Sequence, residues 1–206
     1  MPRCLPALLI LTLILSLAAP AHARTATAPH EIAGIALGSD AEALRARLDI
    51  SRMAPLWDRP WLIRANLKPT KGFAAGYVIL GGCATSNRVI RVRLLYKDGS
   101  LASFEKLAKI MISRYGVPTP LPGKKGSQYK GYRWVFGPNK TKGIDVLLEH
   151  FGTGSDEAPA GNVIRLSDDR AMAEEKTCYE SMVKGAPEPQ PAFPLFEIDD
   201  NWLLPK

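Results

Sequence analysis

The sharpest pattern in the chain begins at Ile90, where apolar Ile90, Val92, Leu94 and Tyr96 alternate with the cations Arg91, Arg93 and Lys97. A period of two predicts a half-buried strand, and its polar side presents a basic ladder because side chains two apart share a face. A similar alternation comes earlier, with Trp61, Ile63, Ala65 and Leu67 on one side and Arg64 and Asn66 on the other. Pro69-Thr70-Lys71-Gly72 then turns the chain into a return strand over 73–80, in which Gly76 marks a bulge or a close contact. After Ser100 the period lengthens to that of a helix. Leu101, Phe104, Leu107, Ala108, Met111, Ile112 and Tyr115 recur at steps of three and four, with Ser100 as N-cap, Gly116 as C-terminal cap and Pro118 barring continuation.

Three more strands follow from the same reasoning: Tyr132, Trp134 and Phe136 on one face, Ile144, Val146 and Leu148 on one face, and a shorter run over 162–166. Gly137-Pro138-Asn139-Lys140 joins the first two as a hairpin, and residues 168–184 repeat apolar positions at helical spacing. Near the start, Ser39 and Glu42 stand at capping-box spacing before Leu44 and Leu48, which predicts a short helix over 40–48. Residues 53–61 hold two tryptophans and two prolines without a period, and read as a loop packed on the core.

In order, the chain reads helix, three strands, helix, three strands, and then a final helix. The fold class is therefore α+β, an antiparallel sheet with helices packed on one face. It is built either as a duplicated helix-three-strand unit, with halves 31–97 and 98–184, or as one continuous sheet. The repeated order resembles tandem inhibitor-like folds made of such units. The phrase Gly34-Ile35-Ala36-Leu37-Gly38-Ser39 before a short helix resembles the opening of small outer-membrane assembly lipoproteins of the SmpA/BamE group, over about twenty residues. That resemblance implies a cell-envelope protein. The chain lacks their lipid-attachment cysteine and is longer than they are, so neither their anchor nor their partner carries over.

The N-terminus points to the same compartment. Arg3 precedes an apolar run over 5–17, and Ala21-His22-Ala23 offers a small-x-small cleavage site, so residues 1–23 read as a secretory signal peptide. The run falls short of the roughly 20 residues a membrane span needs, and Pro20 ends it. The expected product is periplasmic or secreted and is not an integral membrane protein after cleavage. Losing Arg3 leaves 26 basic against 20 acidic residues, a balance that favours anionic envelope polymers or lipid head groups. Export makes nucleic acid a poor partner.

Without the signal the chain holds two cysteines, Cys83 and Cys178, in a compartment where disulfides persist, and a bridge between them is expected. Two buried free thiols and a reactive thiol are the alternatives. An enzyme needs acid, base or nucleophile, and residues 24–206 contain two histidines, His30 and His150, and no Gly-x-Ser-x-Gly, His-Glu-x-x-His or Cys-x-x-Cys. The enzymatic alternative makes Cys83 a thiol nucleophile with His150 as base, because cell-wall transpeptidases of the L,D type place a cysteine shortly before an arginine, as Cys83 stands before Arg88. Their Ser-His-Gly is replaced by Leu80-Gly81-Gly82, which weighs against it. No metal ligands stand at regular spacing and no cofactor is implied.

Arg91, Arg93 and Lys97 form the candidate anion-facing surface. Residues 185–206 form a proline-rich tail carrying Phe193, Leu195, Phe196, Ile198 and Trp202, expected to pack back on the domain or, second, to dock on a partner as an extended peptide. The functional expectation is a non-catalytic exported module binding another envelope protein or an anionic envelope polymer.

Overall fold

A computed structural model describes residues 27–123, 128–137, 143–153 and 160–184. The expected signal peptide over 1–23, the turn over 138–140 and the tail from 185 lie outside the described residues. The chain opens with a two-residue hairpin, β1 (Glu31–Ile32) and β2 (Ile35–Ala36), turned by Ala33 and Gly34, both at positive φ. That pair of left-handed residues matches the twist of a tight hairpin. Eight strands then form one antiparallel sheet: β3 (Leu48–Leu56), β4 (Arg59–Leu67), β5 (Phe73–Gly81), β6 (Val89–Tyr96), β7 (Thr119–Leu121), β8 (Tyr129–Phe136), β9 (Ile144–Phe151) and β10 (Gly161–Asp168). Their spatial order is β3-β4-β5-β6-β10-β9-β8-β7, so two four-strand meanders meet where β6 pairs with β10.

Helix α1 (Leu101–Tyr115) follows β6 and α2 (Asp169–Val183) follows β10. The α+β class holds, but the helices do not share a face. Phe104, Ala108 and Met111 of α1 join Val78, Leu80, Val92, Leu94, Trp134, Val146 and Leu148 in the main core. Ala171 of α2 packs on Leu62, Ile79 and Ile90. Because Ile79 lies between Val78 and Leu80 on one strand, these cores are on opposite sides of the sheet. The duplicated helix-three-strand unit, with halves 31–97 and 98–184, is not confirmed: one continuous eight-stranded sheet is formed, and a single 3-10 turn stands where the first unit's helix was expected.

Local chemistry explains the elements that follow the sequence pattern. Ser100 caps α1 by accepting from Ser103 N at 3.2 Å, and Gly116 ends it at a φ of 82°. The Gly116 carbonyl accepts from buried Trp134 Nε1 at 2.9 Å, which satisfies the indole. Asp168 caps α2 through Ala171 N at 3.0 Å. Gly76 is a close contact: a Cβ there would lie 2.7 Å from Leu94 Cδ2 and 3.0 Å from the Arg93 carbonyl.

Three expectations fail for identifiable reasons. The helix over 40–48 is reduced to one 3-10 turn, Glu42–Leu44. Asp40 bridges Arg88, its carboxylate takes the Glu42 amide at 2.8 Å, and Leu48 is already paired with Leu67 as the start of β3. So short a helix is marginal alone, and strand pairing overrides it. The loop over 53–61 is instead the tip of the β3-β4 hairpin, with Trp57 96% exposed rather than packed on the core. Pro55 disguised β3 and is tolerated because β3 is an edge strand. Lastly, Leu80 pairs with Val89 while Ile79 pairs with Arg91, so Ile90 is bulged and faces α2 with Arg91, breaking the alternation.

Gly76→Ala should lower stability by about 1 to 3 kcal/mol through overpacking between β5 and β6. Urea unfolding followed by far-UV circular dichroism measures it.

Candidate functional site

The α2 side of the sheet divides into three zones, and the first is a clasp that seats the helix. The loop after β5 curls so that the amides of Gly82, Cys83 and Thr85 converge on the carboxylate of Glu175 in α2. Cys83 N donates at 2.7 Å, Gly82 N at 3.1 Å and Thr85 Oγ1 at 2.7 Å. Glu175 is 0% exposed. Burial alone would raise its pKa, but the hydrogen bonds from Thr85, Cys83 and Gly82 outweigh burial and hold the carboxyl below its ordinary value. Gly81 is a close approach here, since a Cβ on it would sit 2.3 Å from Glu175 Oε1. Three residues further along the same stripe of α2, Cys178 is bonded to Cys83, and Tyr179 packs on Trp61 with ring centroids 5.1 Å apart.

The second zone is a neutralised polar belt on β8, β9 and β10. Asp145, 2% exposed, accepts from Arg133 Nε at 3.0 Å and lies 3.5 Å from Arg165 Nη2, while Arg133 also reaches Asp169 at 3.6 Å. Asp169 is pushed up by burial and by neighbouring Asp145. Arg91 belongs to this covered region. Its Nε donates to Ser167 Oγ at 2.8 Å, and burial, then Arg165, lower its pKa.

The third zone is open. Beyond the end covered by α2, strands β4, β5 and β6 and the β4-β5 turn line a cleft of about 620 Å³. Its floor on this face presents Ala75, Tyr77 and Leu95, and its rim carries Arg64, Lys68, Lys71, Arg93 and Lys97. The Arg64 guanidinium lies 4.2 Å from the Tyr77 ring centroid and that of Arg93 lies 5.9 Å from it. The two guanidinium groups come from the strands on either side of β5 and flank one ring, a contact with the π face that leaves N–H groups available to an anion. Arg64 Nε donates to Asn66 Oδ1 at 3.1 Å and Lys68 Nζ to the Arg45 carbonyl at 2.8 Å. Among the described residues none of these five cations is paired with a carboxylate, and no acid lines the cleft.

The basic ladder read from sequence is therefore divided. Arg93 and Lys97 line the open cleft, whereas Arg91 is half-buried on the α2 side, donates to Ser167 and is not among the cleft's lining residues. Arg64, Lys68, Lys71 and Tyr77 were missed. Their signal was present in the Arg64/Asn66 polar face and in Tyr77, two residues before Ile79, but it emerges only once β4, β5 and β6 are known to be neighbours.

The cysteine and histidine of the enzymatic alternative are not brought together. Cys83 is bonded to Cys178 on the α2 side, while His150 shares a 2.7 Å hydrogen bond with Asn162 Oδ1 and packs against Phe104 of α1. Asn162 in turn donates to the carbonyls of Asp98 and Ser100 at 2.9 Å, so the pair ties the start of α1 to β10. Among the described residues no group of three or more His, Cys, Asp or Glu could hold a metal, and no helix is long and apolar enough to cross a membrane. No protein-family model, curated protein or solved structure matches the chain.

Two outcomes follow from the clasp. Reduction of the disulfide, which closes a separation of 95 residues, should lower unfolding free energy by about 4 to 5 kcal/mol before native strain is subtracted. Denaturant titration with and without reductant checks this. Glu175→Gln should cost about 3 kcal/mol at neutral pH, because donors aimed at a buried carboxylate would face an amide. Since the folded carboxyl is depressed, its contribution is complete above the ordinary carboxylate range and lost as pH falls through the folded value. The gap between wild type and variant should close in acid, as thermal unfolding across pH would record.

Proposed function

We propose that this chain is a non-catalytic exported protein that binds an anionic polymer of the cell envelope through the cleft over β4, β5 and β6. The observation that carries this reading is the set of five cations, Arg64, Lys68, Lys71, Arg93 and Lys97, that line one cleft, two of them against Tyr77, without a carboxylate among its lining residues. Elsewhere on the same face the arginines Arg133 and Arg165 are matched by Asp145. A surface that pairs its half-buried arginines with an acid but leaves a concave cluster unmatched concentrates positive potential where an anion can enter. The open rim suits an extended polyanion. The signal peptide, the periplasmic or secreted location and the envelope setting belong to this proposal and rest on residues 1–23.

Arg93→Ser combined with Lys97→Ser should leave the far-UV spectrum unchanged and weaken binding of a short linear polyphosphate about five- to tenfold, with the loss shrinking as salt rises. Isothermal titration measures it, and parallel sedimentation with phosphatidylglycerol vesicles separates a soluble polymer from a lipid surface. Equal affinity of wild type and variant would remove the reading. Binding to vesicles without binding to polyphosphate would transfer the site to lipid.

A further inference from the structure

The cleft has a second, nearer candidate for its charge. Residues 193–204, Phe-Pro-Leu-Phe-Glu-Ile-Asp-Asp-Asn-Trp-Leu-Leu, combine three carboxylates at Glu197, Asp199 and Asp200 with apolar side chains and carry no cation. This composition is the complement of the cleft, which offers five cations around an apolar floor and no acid. An anionic polymer satisfies the rim alone, whereas an acidic peptide bearing Phe196, Ile198 and Trp202 satisfies both rim and floor. In an extended peptide Glu197 and Asp199 share one side and Phe196 and Ile198 the other. Glu197 and Asp199 can then meet the rim while Phe196 and Ile198 meet the floor, and Asp200 adds charge at the edge of the segment.

Reach also agrees. Helix α2 ends at Val183 on the cleft's own side of the sheet, with Tyr179 against Trp61 near the start of β4. Along β4 the cleft extends from Arg64 to the turn at Lys68, about 23 Å from Trp61 at roughly 3.3 Å per residue. The eight residues 185–192 span about 25 Å even at the polyproline rise of about 3.1 Å per residue. No change of sheet face is needed, whereas the apolar groove between the N-terminal hairpin and α1 lies on the other side.

Building on the reading of the cleft as an anion site, we propose that segment 193–204 of this chain docks there in cis, so that an external polyanion must displace it. The test uses the full oxidised chain with benzoylphenylalanine in place of Phe196 and maps photo-crosslinks by mass spectrometry. The expected product is intramolecular and joins position 196 to peptides within 64–77 or 93–97. It should be lost when Glu197→Gln, Asp199→Asn and Asp200→Asn are combined, and that variant, with native Phe196, should bind polyphosphate at least about threefold more tightly because the competitor is gone. Crosslinks to α1 or the N-terminal hairpin, crosslinks only between two copies, or a crosslink indifferent to the three carboxylates would each overturn the docking. A cleft crosslink in a protein that binds no polyphosphate would support the docking while removing the polymer reading. Polyphosphate binding that depends on Arg93 and Lys97, with crosslinks elsewhere, would do the reverse.

Discussion

Glu175 is the contact on which the arrangement of the second face depends. A carboxylate removed from water is tolerable because three amides and a hydroxyl meet it, and those donors can converge only if the loop after β5 is curled tightly. One hydrogen-bonded knot therefore fixes two things at once, the shape of the loop and the position of α2. The Cys83–Cys178 bond lies on the same stripe of the helix and closes the knot covalently. Because α2 is pinned toward the start of β4 and the end of β5, where this loop emerges, it covers Leu62, Ile79 and Ile90 and leaves Arg64, Tyr77 and Arg93 uncovered. The cleft is a consequence of where the clasp places the helix.

What remains open and what is covered are treated differently by the chain. Beside α2, Arg133 and Arg165 share the Asp145 carboxylate, although Arg165 Nε is left without a partner, and Arg91 donates to Ser167. Beyond it the cations are braced by an aromatic ring or a carbonyl and left electrically unanswered. Arg93 and Arg165 face each other directly across the β6-β10 pairing. Like charges opposed in this way are unfavourable unless an acid or a ligand intervenes. Asp145 does so on one side, and the proposed anion would do so on the other.

Much of this was legible in the sequence, and the losses have physical causes. Strands β4, β5, β8 and β9 and helix α1 declared themselves because one-sided burial imposes a period that a linear reading detects, as in Tyr132, Trp134 and Phe136. Cys83 with Cys178 followed from counting thiols. The opposite placement of the helices was invisible because strands such as β9 and β10 are buried on both sides, so their composition does not say which side a helix takes. Leu48 looked helical because its partner Leu67 is distant in sequence. Arg91 looked like surface because the bulge at Ile90 cannot be read from alternation. The cleft needed three strands side by side, and no single segment contains it.

The central claim is that unmatched positive charge is concentrated over β4, β5 and β6 and is relieved by an anion. The most direct measurement is amide chemical-shift mapping of the full oxidised chain titrated with short polyphosphate at low and at raised salt. The account predicts salt-sensitive shifts clustered at 64–77 and 93–97, with the belt around Arg133 and Arg165 unmoved. Shifts centred on that belt, or spread evenly over all surface lysines and arginines, would contradict it.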